Sequence, residues 1–296
     1  MYLASISAAR QKLSFRYIKR HIRPSRVLLY IVIIALVAFT SLPILYVIVT
    51  AFKPLEELLR WPPRFFVRNP TLENFSGLLT AFDSQTVPFT RIIWNSLFVT
   101  GVVVIGTVIV SSLGAYSIAK LKPRGSKLIS NIVIAALMFS VHVTLIPNYI
   151  IVNNIGMMDS IWALIIPKIA VAYNFFLMQQ FMVQIPTDVL EAARIDGSGE
   201  FRIFWRIVMP NLKPAWATLV VFSFISNWND YMSPLIFIQS DDLKTIPLAL
   251  QTIGTSLAVM GKMAAATFIL IIPTIVLFTL MQKKVMETMM YSGIKG

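Results

Sequence analysis

Six long runs of apolar residues, separated by shorter polar connections, set the pattern of this chain. An α-helix that crosses about 30 Å of hydrocarbon needs roughly 20 mostly apolar residues, and each run reaches that length. The pattern predicts an all-α membrane protein with six transmembrane helices, at residues 27–52, 92–119, 128–152, 161–183, 215–238 and 263–281. An even number of spans places both termini on the same side of the membrane.

The lysines and arginines indicate which side that is. With the termini inside, 18 of the 26 basic residues fall in the two tails and in the connections 120–127 and 184–214. Seven fall in the outer connections, and Lys168 lies within a span. Cytoplasmic loops carry the excess of basic residues, so both termini are expected in the cytoplasm. The chain then divides into an N-terminal tail (1–26), a membrane domain (27–282) and a C-terminal tail (283–296).

The composition narrows the function classes. Charged residues make up 13% of the chain, against about 25% in soluble domains. The net charge of +13 is clustered between apolar runs and forms no solvated face for a nucleic acid. The chain has no cysteine, and its two histidines, His21 and His142, are far apart, so neither a disulfide framework nor a histidine metal site is expected.

Sequence motifs also argue against catalysis in this chain. The Walker A pattern G-x-x-x-x-G-K-[ST] is absent, so any ATP that is used must be hydrolysed by another polypeptide. No convincing catalytic constellation is present. We therefore expect a subunit that is not an enzyme and holds no cofactor of its own.

The longer inner connection has the pattern of two short helices joined by a hinge. Pro186 ends the preceding span, and Thr187 or Asp188 can cap a new helix. Asp188 and Glu191 have the spacing of a capping box. Gly197 stands where the residue after a helix takes a positive φ, which glycine adopts without steric cost.

A second helix is predicted over residues 200–208, ended by Pro210. The i, i+3, i+4, i+7 spacing of one apolar face is met by Phe201, Phe204, Trp205 and Val208. On these residues alone, the connection is either an amphipathic hairpin against the membrane surface or a knob that fits a groove on a soluble partner.

The same connection resembles the EAA loop of ABC importer permeases. That pattern is Glu-Ala-Ala, three residues, Gly, nine residues, Ile, one residue, a hydrophobic residue and Pro, matched here by Glu191, Ala192, Ala193, Gly197, Ile207, Met209 and Pro210. Met209 stands where leucine is usual, and methionine is a similarly sized apolar residue. Further similarity to the maltose-type, carbohydrate-uptake branch is carried by Asn95-Ser96, Ala115-Tyr116, Asn227-Trp228-Asn229-Asp230 and Gly293-Ile294-Lys295-Gly296.

The resemblance implies a type I ABC importer permease fold with cytoplasmic EAA coupling helices, in the bacterial cytoplasmic membrane. The implied partners are a second, homologous permease subunit, two ATPase subunits that bind ATP and Mg²⁺, and an extracytoplasmic sugar-binding protein. Coupling to the ATPase is expected at Glu191, Ala192, Ala193, Asp196, Gly197, Ile207 and Pro210. The implied cargo is a sugar, expected to be an oligosaccharide.

Polar and aromatic residues inside the spans are the candidates for a substrate path. They are Asn174, Asn227, Trp228, Asn229, Asp230 and Tyr231. Asp230 can instead be a structural group that pairs with Lys168. The outer segments 53–90 and 239–262 are expected to face the binding protein.

Two other functions remain open on the sequence. A peptide or amino-acid ABC permease would keep the EAA loop, but would usually differ in span number and in the region 227–230. A membrane scaffold or receptor without a transport role would explain six spans, but not the spaced cytoplasmic motif.

Overall fold

The computed structural model describes residues 24–83, 87–252 and 259–293, and all regular elements in those ranges are helical. The first helices are α1 (Pro24–Ala51), α2 (Leu55–Leu58), α3 (Glu73–Asp83), α4 (Phe89–Tyr116), α5 (Ser126–Ala136), α6 (Val141–Asn154), α7 (Ile161–Ile169) and α8 (Ala172–Val183). The others are α9 (Thr187–Ile195), α10 (Glu200–Ile203), α11 (Met209–Asn211), α12 (Lys213–Trp228), α13 (Met232–Phe237), α14 (Ile246–Thr252) and α15 (Met260–Gly293). Most of the predicted tail 1–26, the last three residues of the C-terminal tail and part of the outer segment 239–262 lie outside the described residues.

Four helical segments are long and apolar enough to cross a membrane: α1, α4 with the π-helical turn Ser117–Leu121, α7 together with α8, and α15. Two further candidates are pairs of helices that meet at a sharp bend. The bend is 112° between α5 and α6, and 79° between the helical stretch 200–211 and α12. The all-helical class is therefore confirmed, and the described residues contain four to six candidate spans.

The third apolar run, at 128–152, is not one straight helix. It bends between α5 and α6, where the Ser140 hydroxyl accepts the backbone N–H of His142 at 3.4 Å and so caps α6. Serine is a favoured residue at this position because its side chain satisfies an N–H that has no partner inside the helix. The Ser140 cap thus separates two helices within a run of residues that hydrophobicity alone predicts to be one helix.

The fifth and sixth runs also differ from simple spans. Helix α12 ends at Trp228, and α13 begins at Met232, so the run 215–238 is interrupted between these two residues. Helix α15 continues to Gly293, past residue 283, where the sequence predicts the C-terminal tail to begin.

Helix α4 packs against three other long helices, α12, α7 and α8. Small residues allow this approach: a Cβ on Gly106 would lie 2.9 Å from the Ile169 side chain, and one on Gly114 would lie 2.9 Å from the Phe175 ring. Lipid provides no hydrophobic drive between helices, so close backbone packing at small residues holds membrane helices together.

Helix α1 packs on the rest of the fold only near its end. Ala51 contacts Ala264 and Ala265 of α15 in a small buried cluster, while most side chains between positions 28 and 39 are exposed. Exposed apolar side chains of this kind suit a lipid environment.

A hydrogen-bonded turn fixes the first part of the 239–262 segment after α13. The Asp159 carboxylate accepts the backbone N–H groups of Gln239 (2.9 Å) and Ser240 (2.8 Å), and the Ser240 hydroxyl donates to its other oxygen. The Ser240 hydroxyl, followed by these two N–H groups, lowers the pKa of Asp159 from its ordinary value. This segment is therefore held to the loop that precedes α7.

Candidate functional site

Helix α9 carries the Glu-Ala-Ala residues and is anchored on one side only. Leu190 and Ala193 are buried against the ends of α4 and α8, whereas Glu191 and Ala192 are exposed. Ile195, at the end of the helix, is 86% exposed. A large apolar side chain in that position indicates a surface that another protein covers.

The start of α9 differs from the capping box expected from the sequence. The helix begins at Thr187 with Pro186 in the N-cap position, and no side chain caps it. Proline fixes φ in the helical range and its missing N–H costs nothing at a helix start, so the helix begins two residues too early for Asp188 to act as its N-cap. Glu191 therefore has no capping role and its carboxylate remains exposed.

The end of α9 has the predicted hinge geometry. Gly197 has φ +79°, its N–H donates to the Arg194 carbonyl at 3.0 Å, and the Ser198 N–H donates to the Ala193 carbonyl at 3.0 Å. These two bonds are the Schellman pattern, in which a glycine in the left-handed conformation closes the helix. Asp196, the residue before the glycine, is exposed.

The second helix of the connection does not end at Pro210. Helix α10 continues through the π-helical turn Phe204–Val208 into α11, and the chain bends only at Leu212. Proline has no N–H for the α-helical bond to the preceding turn, and the wider turn lets the helix pass it. The Asn211 amide donates to the Ile207 carbonyl at 2.7 Å, which satisfies one backbone group at this irregular point.

The predicted apolar face of this helix is divided between two environments. Phe204 and Val208 are buried with Ile203, because the wide π-helical turn changes which positions share a face. Phe201 and Trp205 are 74% and 40% exposed, with their rings 6.2 Å apart. The connection therefore exposes these two aromatic rings in addition to Ile195.

Three side chains tie this connection to the spans. Arg194 donates from Nε to Glu200 Oε1 at 2.7 Å and from Nη2 to Oε2 at 3.4 Å, and the Tyr116 hydroxyl donates to Oε2 at 2.5 Å. The Arg194 guanidinium, followed by the Tyr116 hydroxyl, lowers the pKa of Glu200 from its ordinary value. The carboxylate therefore joins the end of α9, the start of α10 and the end of α4.

A cavity of about 730 Å³ lies where two helical segments are interrupted. One interruption separates α7 from α8 at Ala170 and Val171, and the other separates α12 from α13. Discontinuous helices next to a cavity are where transporters place polar groups inside the membrane. The polar and aromatic part of the lining consists of His142, Lys168, Tyr173, Asn174, Phe222, Ser223, Ser226, Asn227, Asn229, Asp230, Tyr231 and Ser233.

An ion pair between Lys168 and Asp230 joins the two interruptions. The other Asp230 oxygen accepts the N–H groups of Met232 (3.0 Å) and Ser233 (3.2 Å) and so caps the start of α13. The Thr107 hydroxyl of α4 donates to the Lys168 carbonyl at 3.3 Å. Asp230 is therefore both a helix cap and one half of the ion pair.

Residues 111–284 match the family described as the binding-protein-dependent transport system inner membrane component. This stretch is more than half of the chain, and it contains both the 184–214 connection and the lining of the cavity. The chain belongs to this family.

Individual relatives agree with the assignment of the permease. A putative ABC transporter permease protein of Caldicellulosiruptor sp. (strain Rt8B.4) is 30% identical over 260 residues, covering 86% of this chain and 92% of that protein. The arabinooligosaccharides transport system permease protein AraQ of Halalkalibacterium halodurans is 27% identical over 266 residues, covering 88% and 94%.

A solved structure has the same fold as the permease. It is a chain of a bacterial ABC transporter involved in the import of the acidic polysaccharide alginate. The TM-score is 0.77 at 22% sequence identity, over 89% of this chain and 98% of that chain.

Within the permease, five of the six substrate-path candidates line the cavity: Asn174, Asn227, Asn229, Asp230 and Tyr231. Trp228 instead belongs to a buried cluster, where it stacks on Phe224 and donates from Nε1 to the Leu270 carbonyl at 2.9 Å. Neighbours on a helix face different directions, so a run of five consecutive candidates cannot all point into one cavity.

Sequence reasoning missed several residues that the structure brings to these two places. Ile195 lies four residues after Glu191 and three after Ala192, so helical spacing could have found it. Glu200, His142 and Tyr173 gave no local signal, because their partners are distant in the chain. In the described residues, no group of three or more His, Asp or Glu side chains could hold a metal ion.

Proposed function

We propose that this permease is one half of the translocation pathway of an ATP-driven ABC importer for a sugar, with an oligosaccharide as the cargo. A second, homologous permease would supply the other half. Two ATPase subunits would bind ATP and Mg²⁺ and dock on α9, and an extracytoplasmic binding protein would deliver the sugar. The observation that carries the proposal is the exposed face of α9, which is backed by a buried core continuous with the spans.

Coupling would act through that core. The buried side chains Leu190, Ile203, Phe204 and Val208 share one cluster with residues of α4, α8 and α12. Close-packed interiors move as units and transmit displacement, so a push on α9 would move the inner ends of these helices together. Glu191, Ala192 and Ile195 would meet the ATPase, with the Gly197 hinge setting the angle between α9 and α10.

The membrane arrangement follows from the charge pattern together with the bent helices. If α5 with α6, and α12 with α13, each count as one crossing, the chain has six spans, the 200–211 stretch stays in the inner connection, and both termini are cytoplasmic. The basic residues then lie mainly on the cytoplasmic side. In this orientation, α9 faces the cytoplasm and the 239–245 segment faces the binding protein.

The cavity chemistry favours a neutral, hydroxyl-rich cargo over a peptide or an amino acid. Its two charged groups neutralise each other, since Lys168 is paired with Asp230. Asn227 and Asn229 each donate one amide N–H to a carbonyl of their own helix, at 2.7 and 2.9 Å, and each amide has a second N–H and a carbonyl oxygen for further hydrogen bonds. Tyrosine rings also line the cavity. A free carboxylate or ammonium group would enter such a cavity without a charged partner, at considerable cost.

A paired assay of uptake and ATP hydrolysis tests the coupling proposal. Glu191→Lys and Gly197→Pro, in the transporter reconstituted in vesicles, are expected to keep membrane insertion and subunit assembly but to lose ligand-stimulated hydrolysis and uptake. Glu73→Lys makes the same charge reversal on an exposed residue of α3 and serves as the control. If both coupling variants transport and hydrolyse normally, α9 is not the coupling element.

The cargo is tested by comparing the uptake of several classes of substrate. Radiolabelled oligosaccharides, monosaccharides, peptides and amino acids are offered to vesicles that contain the transporter and its binding protein. Uptake of a peptide or an amino acid, with no uptake of any sugar, would support the rival assignment and reject the sugar proposal.

A further inference from the structure

An unusual surface follows the outer end of α1, in residues 59–68, here called the anchor segment. Its side chains Trp61 and Phe66 are 88% and 74% exposed, although both are large and apolar. In water, such side chains would favour burial in proportion to their apolar area. A partner or a non-aqueous environment is therefore expected to cover them.

Contacts with α1 show where the anchor segment lies relative to that helix. The Phe65 ring is 5.8 Å from the ring of Tyr46, and the Phe66 ring is 5.1 Å from that of Phe65. Lys53, which follows α1, donates to the Arg64 carbonyl at 2.5 Å and lies 5.4 Å from the centre of the Tyr46 ring. The chain thus leaves α1 and folds back along its side.

The position of Tyr46 places this contact at the membrane boundary. Tyr46 is five residues before Ala51, which is about 8 Å back along the helix at 1.5 Å per residue. A hydrocarbon layer of about 30 Å takes roughly 20 residues, fewer than the 28 residues of α1. With α1 centred in the layer, Tyr46 falls in the last turn inside the hydrocarbon, where aromatic side chains gather.

The charges of the anchor segment point to the chemistry of its partner. Arg60, Arg64 and Arg68 are all exposed, and none forms a salt bridge in the described part of the chain. The nearby Glu57 carboxylate instead accepts backbone N–H groups, from Arg68 at 3.2 Å and from Asn69 at 3.0 Å. Planar guanidinium groups bind phosphate through paired hydrogen bonds, and three of them beside exposed aromatic rings match a phospholipid headgroup layer.

We propose that the anchor segment is a lipid-binding surface that lies in the headgroup layer at the end of α1, with Trp61 and Phe66 inserted at the hydrocarbon edge and the three arginines bound to the phosphates of anionic phospholipids. In the orientation proposed above, this is the outer leaflet. The surface would hold the outer end of α1 at a fixed depth beside α15, which α1 contacts through Ala51.

The depth is tested by labelling in nanodiscs. Because the chain has no cysteine, single cysteines at Trp61 and Phe66 can carry a spin label in the full chain, purified with its accompanying subunits. Asp241→Cys, on an exposed residue of the outer segment after α13, is the control. Labels at 61 and 66 are expected to be relaxed at least threefold more by oxygen than by a water-soluble nickel chelate, and the label at 241 is expected to show the opposite order. Equal behaviour at all three positions overturns the proposal.

The lipid chemistry is tested with a fluorophore at position 61. Brominated phosphatidylglycerol should quench it at least twofold more than brominated phosphatidylcholine at equal mole fraction. In the triple variant Arg60→Gln, Arg64→Gln and Arg68→Gln this ratio should fall to one, while three Arg→Lys changes should retain most of it. A ratio of one in the protein with all three arginines overturns the proposal. So does a fluorophore that leaves water only when the binding protein is added, since the partner would then be a protein.

Discussion

The ion pair between Lys168 and Asp230 allows the sharpest test of how the interrupted helices are held. About a fifth of each side chain is exposed, 20% for Lys168 and 18% for Asp230. Removing one member of a buried pair leaves an uncompensated charge and costs about 3–5 kcal/mol. The partial exposure places Lys168→Met at the lower end, about 3 kcal/mol.

Asp230→Asn isolates the charge from the capping role. The asparagine oxygen can still accept the N–H groups of Met232 and Ser233, so the start of α13 keeps its cap. The buried Lys168 then lacks a partner, and we expect a loss of about 2–3 kcal/mol. The double variant Lys168→Met/Asp230→Asn leaves no buried charge and should recover most of both losses.

The assay is urea unfolding in mixed micelles, followed by thermal unfolding of the purified chain. At roughly 2–4 °C per kcal/mol for chains of this size, Lys168→Met should lower Tm by about 6–12 °C and Asp230→Asn by about 4–12 °C. Lys127→Met, at an exposed position, should leave Tm unchanged. The reasoning fails if the single changes cost less than about 1 kcal/mol, or if the losses simply add in the double variant, because the pair would then carry no coupling energy.

Three further predictions concern backbone geometry and pH. Gly197→Ala places a side chain at φ +79° and should destabilise the loop by about 1–2 kcal/mol. Proteolysis at the loop should then be faster. The control Gly199→Ala, at φ −70°, should not change the rate of proteolysis. Gly114→Ala crowds a neighbouring phenylalanine ring and should cost about 1–3 kcal/mol in unfolding free energy, whereas Gly101→Ala, with open space around it, should be neutral. The pKa of Glu200 is lowered from its ordinary value of 4.5, so its contribution is complete above pH 4.5 and is lost as pH falls through the lowered value. The protection factors of amides 194–200, corrected for the intrinsic exchange rate at each pH, should therefore fall in acid. Glu200→Gln should already have low protection factors at neutral pH, with little further fall in acid; a variant that keeps the acid response would contradict this assignment.

The 184–214 connection shows which structural features can be predicted from neighbouring residues in the sequence and which cannot. The position of Gly197 predicted a helix end with positive φ, and the Schellman bonds confirm it, because that geometry depends on neighbours within six residues. The prediction that Pro210 ends the second helix was wrong, because that prediction also considered only neighbours in the sequence. The cost of a proline depends on whether the surrounding packing supports a wider turn, and the buried side chains Phe204 and Val208 do so here.

The sequence by itself determined that this protein is helical and buried in a membrane, and where its inner connection hinges, since apolar run length and glycine placement act locally. Only the tertiary structure decided that the third and fifth runs are interrupted, that Lys168 meets Asp230, and that Glu200 joins Arg194 to Tyr116. The Lys168–Asp230 pair joins residues that are 62 positions apart, and the Tyr116–Glu200 bond joins residues that are 84 positions apart. No periodicity in the sequence reports such contacts, because they form only when separate helices pack together.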